Sequence, residues 1–293
     1  MVGEKKWVPY TLLIPWIIGF LLFKLYPFIN SFFMSLYQTA GRRSTFVGLD
    51  NYKLLFDASG YIGEQFQNSL KVTFNYVFLT VPLILVVSLL IAYVLSLKIK
   101  GVGFFRTSFY MPTVLGANIA IVILWRHIFE YNGLVNQALG IFGIAPISFL
   151  GTAAGAMGTI VLLRVWQFGS TMLIFLNALK NVPESLYEAA TIDGANKARQ
   201  FFSITIPMIT PIILFNAVMR LVETFQVFNG PALITNGGPA NSTRVLNLLI
   251  YEIAFAGGDL NLGAAMSWIL FLIIMLFTLL IFRSSKYWVH YQD

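Results

Sequence analysis

The side chains best equipped for chemistry in this sequence are few, and they stand where charge is costly. Arg164, Arg220 and Glu223 lie well inside apolar runs, and a charge at the centre of a membrane helix costs about 2.5–3.5 kcal/mol on an insertion scale. Each needs a partner or a use. Arg220 and Glu223 are three residues apart on one helical face and can pair with each other, and Asn216 and Gln226 extend them into a polar stripe. Arg164, Gln167 and Thr171, at i, i+3 and i+7, form a second stripe. Such groups bind by hydrogen bonds and charge; nothing nearby equips them to break bonds. The sequence has no Gly-Lys-Ser/Thr phosphate loop, no His-Glu-x-x-His, and no second carboxylate in the apolar runs to share acid/base work with Glu223. It has no Cys, and His127 and His290 are its two histidines, which excludes disulfides, thiolate nucleophiles, iron–sulfur clusters and His-rich metal sites. An acid held ionised beside an arginine is a poor proton carrier. If this chain moves a solute, the energy comes from a partner.

The elements that carry these residues are membrane helices. Of 293 residues, 58% are hydrophobic and 11% charged, against roughly 25% charged in soluble domains, so most of the surface must meet lipid. The net charge of +7 is scattered between apolar runs and not gathered on one patch, which argues against nucleic acid. About 20 predominantly apolar residues cross the bilayer core, and such stretches run at about 8–37, 70–97, 108–125, 155–179, 206–228 and 262–282. They predict an all-α membrane protein of six transmembrane helices in a single domain, residues 1–293. The first run is longer than one crossing needs, and Pro15, Lys24 and Pro27 interrupt it, so its outer end is expected to bend or project. It is too long for a signal peptide and has no Ala-x-Ala cleavage pattern, so it is expected to stay as an uncleaved first helix.

Cytoplasmic loops carry the excess of Lys and Arg. With the amino terminus inside, Lys5, Lys6, Lys98, Lys100, Arg106, Lys180, Lys197, Arg199, Arg283 and Lys286 fall on the cytoplasmic side, ten residues against the six on the other side, Arg42, Arg43, Lys53, Lys71, Arg126 and Arg244. Both termini are expected inside. At a rise of about 1.5 Å per residue, Arg164 stands roughly 24 Å and Gln167 roughly 20 Å above Lys180, while Arg220 stands roughly 21 Å and Glu223 roughly 26 Å above Ile206. The stripes are level. Helices joined by one loop are expected to be neighbours, so these groups are predicted to line one cavity in the outer half of the membrane. The alternative is a structural ion pair with an arginine that snorkels to the headgroups.

The loop between the fourth and fifth runs reads Asn181-Val182-Pro183-Glu184-Ser185-Leu186-Tyr187-Glu188-Ala189-Ala190-Thr191-Ile192-Asp193-Gly194-Ala195-Asn196-Lys197. Pro183 suits the start of a helix, Glu184 the positive end of its dipole, and Gly194 a left-handed turn that ends it. Two short helices about a glycine are predicted, a docking element on the cytoplasmic side.

Glu188-Ala189-Ala190, three residues, Gly194, nine residues and Ile204-Thr205-Ile206-Pro207 together resemble the EAA motif of binding-protein-dependent ABC importer permeases, with Ile206 where leucine is commoner. Tyr110-Met111-Pro112, Gly133-Leu134-Val135-Asn136, Gly237-Gly238-Pro239-Ala240-Asn241-Ser242-Thr243 and Tyr251-Glu252-Ile253-Ala254-Phe255 are similar to the maltose-type carbohydrate permeases, from about Thr11 to the carboxyl terminus. The resemblance implies the type I ABC importer permease fold, a homologous second permease in a heterodimer, two ATPase subunits or domains, an extracytoplasmic solute-binding protein and a place in the bacterial cytoplasmic membrane. It implies that the chain is not itself an enzyme and holds no cofactor, ATP and Mg being bound by the partner ATPase. The loop at about 181–206 would be the coupling helix on that ATPase, with Glu188, Ala189, Ala190, Asp193 and Gly194 as coupling residues. Arg164, Gln167, Thr171, Asn216, Arg220, Glu223 and Thr224 would lie along the substrate path. The expected solute is a sugar, most naturally an oligosaccharide. A non-sugar or phosphorylated solute such as glycerol phosphate, or a self-sufficient carrier or channel, is the alternative. Trp166, Trp268, Phe225 and Phe228 offer stacking faces for a sugar, although aromatic residues in spans more often simply pack.

Overall fold

The computed structural model describes residues 8–41, 43–97, 100–116 and 118–290. Lys5, Lys6, Arg42 and Lys98 of the charge count lie outside them. Four helical stretches are long and apolar enough to cross a membrane, Tyr10–Ser35, Tyr61–Ser96, Lys197–Phe225 and Leu260–Ser285, and two bent helix pairs bring the number to six if each pair is one span. The chain divides into two compact units, residues 1–67 with 250–270, and residues 68–249 with 271–293.

The first unit opens with α1 (Val8–Phe20), a π-helical turn at Leu21–Leu25 and α2 (Tyr26–Ser35). The expected interruption is therefore a widened turn inside one continuous helix. Pro27 has no N–H, and its ring crowds the carbonyl one turn back; a wider turn immediately before it absorbs the mismatch. An antiparallel hairpin of β1 (Tyr37–Ala40) and β2 (Arg43–Phe46) follows, then α3 (Asp50–Phe56). Asn51 is buried and donates to the carbonyls of Ser35 and Tyr37 at 2.8 and 2.9 Å, which fixes the exit from α2. Trp268 packs on Phe28 and Phe32 and donates its indole N–H to Ser31 at 3.1 Å. It is a packing residue.

The second unit holds most of α4 (Tyr61–Ser96), then α5 (Val102–Leu115), α6 (Ile119–Phe129), α7 (Leu134–Ile141), α8 (Ala153–Trp166), α9 (Gly169–Lys180), α10 (Glu184–Ile192), α11 (Lys197–Gln200), α12 (Ile206–Phe225) and α13 (Leu246–Tyr251). The last long helix, α14 (Leu260–Ser285), begins in the first unit and ends in the second. The predicted run 108–125 is not one helix: α5 passes through Pro112 and stops at Leu115, and α6 starts afresh, bent by 100°. Asn118 caps α6 by accepting from the N–H of Ala120 at 2.9 Å, so a Gly followed closely by an Asn breaks an otherwise apolar run. The run 155–179 is likewise two helices, α8 and α9, bent by 46°. The carbonyl freed at that break is taken up by a side chain, Thr113 donating to Gln167 O at 3.2 Å; Phe168 O, which accepts the Met172 N–H at 3.0 Å, also receives Ser88 Oγ at 3.4 Å. Gly169 lets α5 come this close, since a Cβ there would stand 2.6 Å from Phe109 O.

Below the break, Met172, Phe175, Leu176 and Leu179 pack with Ala92, Leu95 and Ile209. Above it, Tyr76, Val122, Ile160, Leu163 and Ile234 form a second cluster. Two of the motifs singled out in the sequence turn out to brace loops. Asn136 bonds to both backbone groups of Ile147, at 2.8 and 2.9 Å. Thr243 bonds to Gly238 O and to Thr235 Oγ1 at 2.8 and 2.6 Å.

The charge-based orientation is open to a direct check on this cysteine-free chain. Asn51 is too well bonded to serve as a reporter, but Ala58, Asn236 and Ala198 are exposed. Cysteines at positions 58 and 236 are expected to react with an impermeant thiol reagent in intact cells, and one at 198 only after lysis; labelling of 198 in intact cells would reverse the orientation.

Candidate functional site

The two polar stripes meet. Glu223 on α12 receives Arg220 Nη1 at 2.8 Å from its own helix and Arg164 Nη2 at 2.5 Å from the end of α8, both on the single oxygen Oε2. Arg164 Nη1 donates to Gln167 Oε1 at 3.1 Å, and Gln167 Nε2 donates in turn to Gly116 O at 3.2 Å. Arg220 Nη2 donates to Ser170 Oγ at 3.1 Å. The expected Arg220–Glu223 pair is thus half of a three-charge bridge between α8 and α12. A snorkelling arginine does not describe Arg164, whose guanidinium is held by a carboxylate and an amide.

These groups border a cavity of about 320 Å³. Arg164, Gln167, Arg220, Glu223 and Gln226 line it, as both stripes predicted. Thr171, Asn216 and Thr224 do not. Thr171 sits beyond the break, which takes it out of register with Arg164 and Gln167; it and Thr224 are fully buried in the helix packing, and Asn216, equally buried, donates to Ile212 O at 2.9 Å within its own helix. A stripe drawn at constant helical pitch holds only while the helix is unbroken. Of the four aromatic residues considered for stacking, Phe228 lines the cavity. Phe225 is buried against Phe74 and Phe277, and Trp166 stacks near Trp125 at 5.3 Å.

Tyr76, Thr113, Gly116 and Asn229 also line the cavity, and Ser170 holds Arg220. None was singled out beforehand. Gly116 carried a readable signal, a glycine shortly before a capping Asn; its contact is so close that a Cβ would come within 2.5 Å of the Gln167 amide. Tyr76 and Ser170 carried none, because each is placed by a neighbouring helix.

The loop expected to dock is built as predicted. α10 ends in the left-handed residue Gly194, φ +75°, with Ala195 N–H donating to Ala190 O at 2.9 Å and Gly194 N–H to Thr191 O at 3.1 Å, the paired bonds of a Schellman motif. Asn196 caps α11 by accepting from Arg199 N–H at 2.8 Å. Gln200, buried, ties the two short helices together by donating to Thr191 Oγ1 and Ala195 O at 3.0 and 3.2 Å. Tyr187 OH meets Thr205 Oγ1 at 2.8 Å and fastens α10 to the π-helical turn Phe201–Thr205 that leads into α12. Glu188, Ala189, Asp193 and Gly194 are exposed and Ala190 half-buried, while the apolar Ile192 is 87% exposed.

A chain with up to six apolar segments long enough to cross a membrane, a polar cavity between two of them and an exposed braced loop joining those two has the organisation of a solute permease. Residues 61–289 match the family described as binding-protein-dependent transport system inner membrane component, and the chain belongs to that family. It is 42% identical over 291 residues to the probable ABC transporter permease protein YesP of Bacillus subtilis (strain 168), covering 97% of this chain and 92% of that one. It is 31% identical to the trehalose/maltose transport system permease protein MalF of Thermococcus litoralis, covering 95% and 93%. A crystal structure of a bacterial ABC transporter involved in the import of the acidic polysaccharide alginate superposes with a TM-score of 0.81 at 24% identity, over 96% of this chain and 95% of that one. The fold is that of a type I ABC importer permease.

The shared carboxylate makes a specific energetic claim. Glu223→Gln leaves two guanidiniums short of a counter-ion and is expected to lower the stability of the purified permease by about 1–3 kcal/mol, less than the roughly 3–5 kcal/mol of a sealed pair because Glu223 is 39% exposed. Arg164→Gln is expected to cost less. Combining Arg220→Met with Glu223→Leu strands Arg164, so adding Arg164→Met should recover stability; thermal unfolding in which the triple variant gains nothing over the double would contradict the three-charge bridge.

Proposed function

We propose that this chain is one of two unlike permease subunits of an ATP-driven oligosaccharide importer in the bacterial cytoplasmic membrane, with both termini inside. Residues 1–293 act as one transmembrane domain, with the coupling loop at about 181–206. A solute-binding protein delivers the sugar from outside, and two ATPase subunits or domains, carrying ATP and Mg, drive the cycle from within. The observation that carries this reading is the covalent route from loop to cavity. α9 and α12 leave the two ends of the exposed loop, and Arg164 and Gln167 at the head of one arm face Arg220 and Glu223 on the other. A push on α10 is transmitted through the Tyr187–Thr205 and Gln200 braces into α12, so nucleotide-driven movement outside the membrane changes the spacing of the groups that hold solute within it.

A saccharide suits the lining. The amides of Gln167, Gln226 and Asn229 match hydroxyl groups, Phe228 offers an aromatic face, and about 320 Å³ lies at the lower end of small-molecule sites. The likeness to a trehalose/maltose permease, 31% identical over 95% of this chain, supports the same class. On the cytoplasmic side, exposed Ile192 and the small Ala189, Ala190 and Gly194, flanked by the acids Glu188 and Asp193, form the surface by which α10 would seat on the ATPase.

Gly194→Val tests the coupling reading, because a Cβ at this position meets no atom within 4 Å and the chief cost is backbone strain at φ +75°, at least about 1–2 kcal/mol for an L-residue held left-handed. The variant is expected to insert at normal levels but to import less and to retain less ATPase on copurification, and Ile192→Asp should do the same without touching the turn. Gln167→Ala should lower import and spare ATPase retention. Normal uptake by Gly194→Val and Ile192→Asp with a full complement of ATPase would remove α10 from the coupling role.

A further inference from the structure

We propose that the cavity takes a saccharide bearing an oxyanionic group, carboxylate or phosphate, held by Arg164 and Arg220, and that Glu223 is the built-in anion that fills this place when the solute is absent. The inference rests on the reading of the cavity as part of the substrate path and narrows the class of solute it accepts.

The charge count is the starting point. Two guanidiniums and one carboxylate line the cavity, and the other polar groups there, among them Gln167, Gln226, Asn229 and Thr113, are neutral amides and a hydroxyl. One positive charge is left over in a place where charge is expensive. A site for a purely neutral sugar needs neither arginine, since amides and hydroxyls bond hydroxyl groups without that cost. An entering oxyanion neutralises the surplus.

Geometry gives the same answer. Both guanidiniums converge on one oxygen, Glu223 Oε2, at 2.8 and 2.5 Å, so the position where an anion is bound is already marked by an anion. The forks are held independently of Glu223, Arg164 by Gln167 and Arg220 by Ser170. They would keep their aim if the carboxylate left. Arg220 Nε is buried and has no hydrogen-bond partner, an unspent donor on the more deeply placed of the two forks. Exposure rises in order, 11% for Arg220, 23% for Arg164 and 39% for Glu223. The carboxylate is therefore the member best able to turn toward water when a solute oxyanion takes its place, and guanidinium forks recognise carboxylate and phosphate alike.

The test uses the whole assembled transporter in lipid nanodiscs, without the binding protein so that its own selectivity does not enter. Three probes are titrated by calorimetry: a trimeric uronate oligosaccharide, the same trimer with its carboxyls reduced to alcohols, and inorganic phosphate. The uronate is expected to bind at least about tenfold more tightly than its neutral counterpart, and Arg164→Gln to weaken uronate binding by roughly ten- to a hundredfold, the value of one charged hydrogen bond, while weakening the neutral trimer far less. Thermal unfolding supplies a second readout: Glu223→Gln should be stabilised by the uronate more than the wild type is, because the ligand replaces the missing anion. Phosphate that competes with the uronate supports the oxyanion site, and phosphate that outbinds it assigns the phosphorylated class. Equal binding of charged and neutral trimers, unaffected by Arg164→Gln, would overturn the acidic class and leave a saccharide site standing. Binding of none of the three probes, in a complex whose ATPase responds to the Gly194 and Ile192 substitutions, would overturn this assignment and place the solute elsewhere on the path.

Discussion

A guanidinium held largely away from water needs an opposite charge, and in this chain one carboxylate oxygen meets two guanidiniums from two helices. Glu223 joins Arg164 on α8 to Arg220 on α12, and the neighbouring structure is shaped around that junction. α8 ends two residues past Arg164, Gln167 turns back to hold the guanidinium, and Gly116 leaves room for the Gln167 side chain against the end of α5. Replacing Glu223 with an apolar residue of similar size would leave two guanidiniums without their counter-charge, a more expensive fault than losing the neutral contact of Gln167.

Interrupted helices follow from the same constraint. A helix that stops within the bilayer exposes backbone carbonyls that lipid cannot satisfy, and the two breaks here answer one another. Thr113 on α5 takes the carbonyl of Gln167, while Gln167 takes the carbonyl of Gly116. The prolines at the starts of α2 and α12 are handled differently. In both places a π-helical turn immediately precedes the proline, at Leu21–Leu25 and at Phe201–Thr205, and lets a long span continue where a regular helix would be broken.

The second of those widened turns also connects the loop with the cavity. Tyr187 reaches from α10 to Thr205 within it, so the exposed pair of short helices is fastened to the base of the span that carries Arg220 and Glu223. A loop meant only to link two spans would need neither that hydroxyl pair nor the buried amide of Gln200. On the proposed coupling role, the rigidity lies where force would pass.

Much of this was written along the chain. The apolar runs marked the spans because about 20 residues must cover the bilayer whatever they pack against, and the Pro183, Gly194 and Asn196 signals marked the loop because caps and left-handed turns are set by adjacent residues. Arg164, Gln167, Arg220 and Glu223 could be placed at one level by counting rise alone. Two things were decided only by the tertiary structure. Breaks at Gly116 and after Trp166 depend on carbonyls being taken up by side chains of other helices, and those breaks moved Thr171 out of the stripe that regular pitch had drawn through it. Sharing of Glu223 between two arginines, and the placing of Tyr76 and Ser170 beside them, depends on which helix faces which, and residue spacing within one helix carries no record of its neighbour.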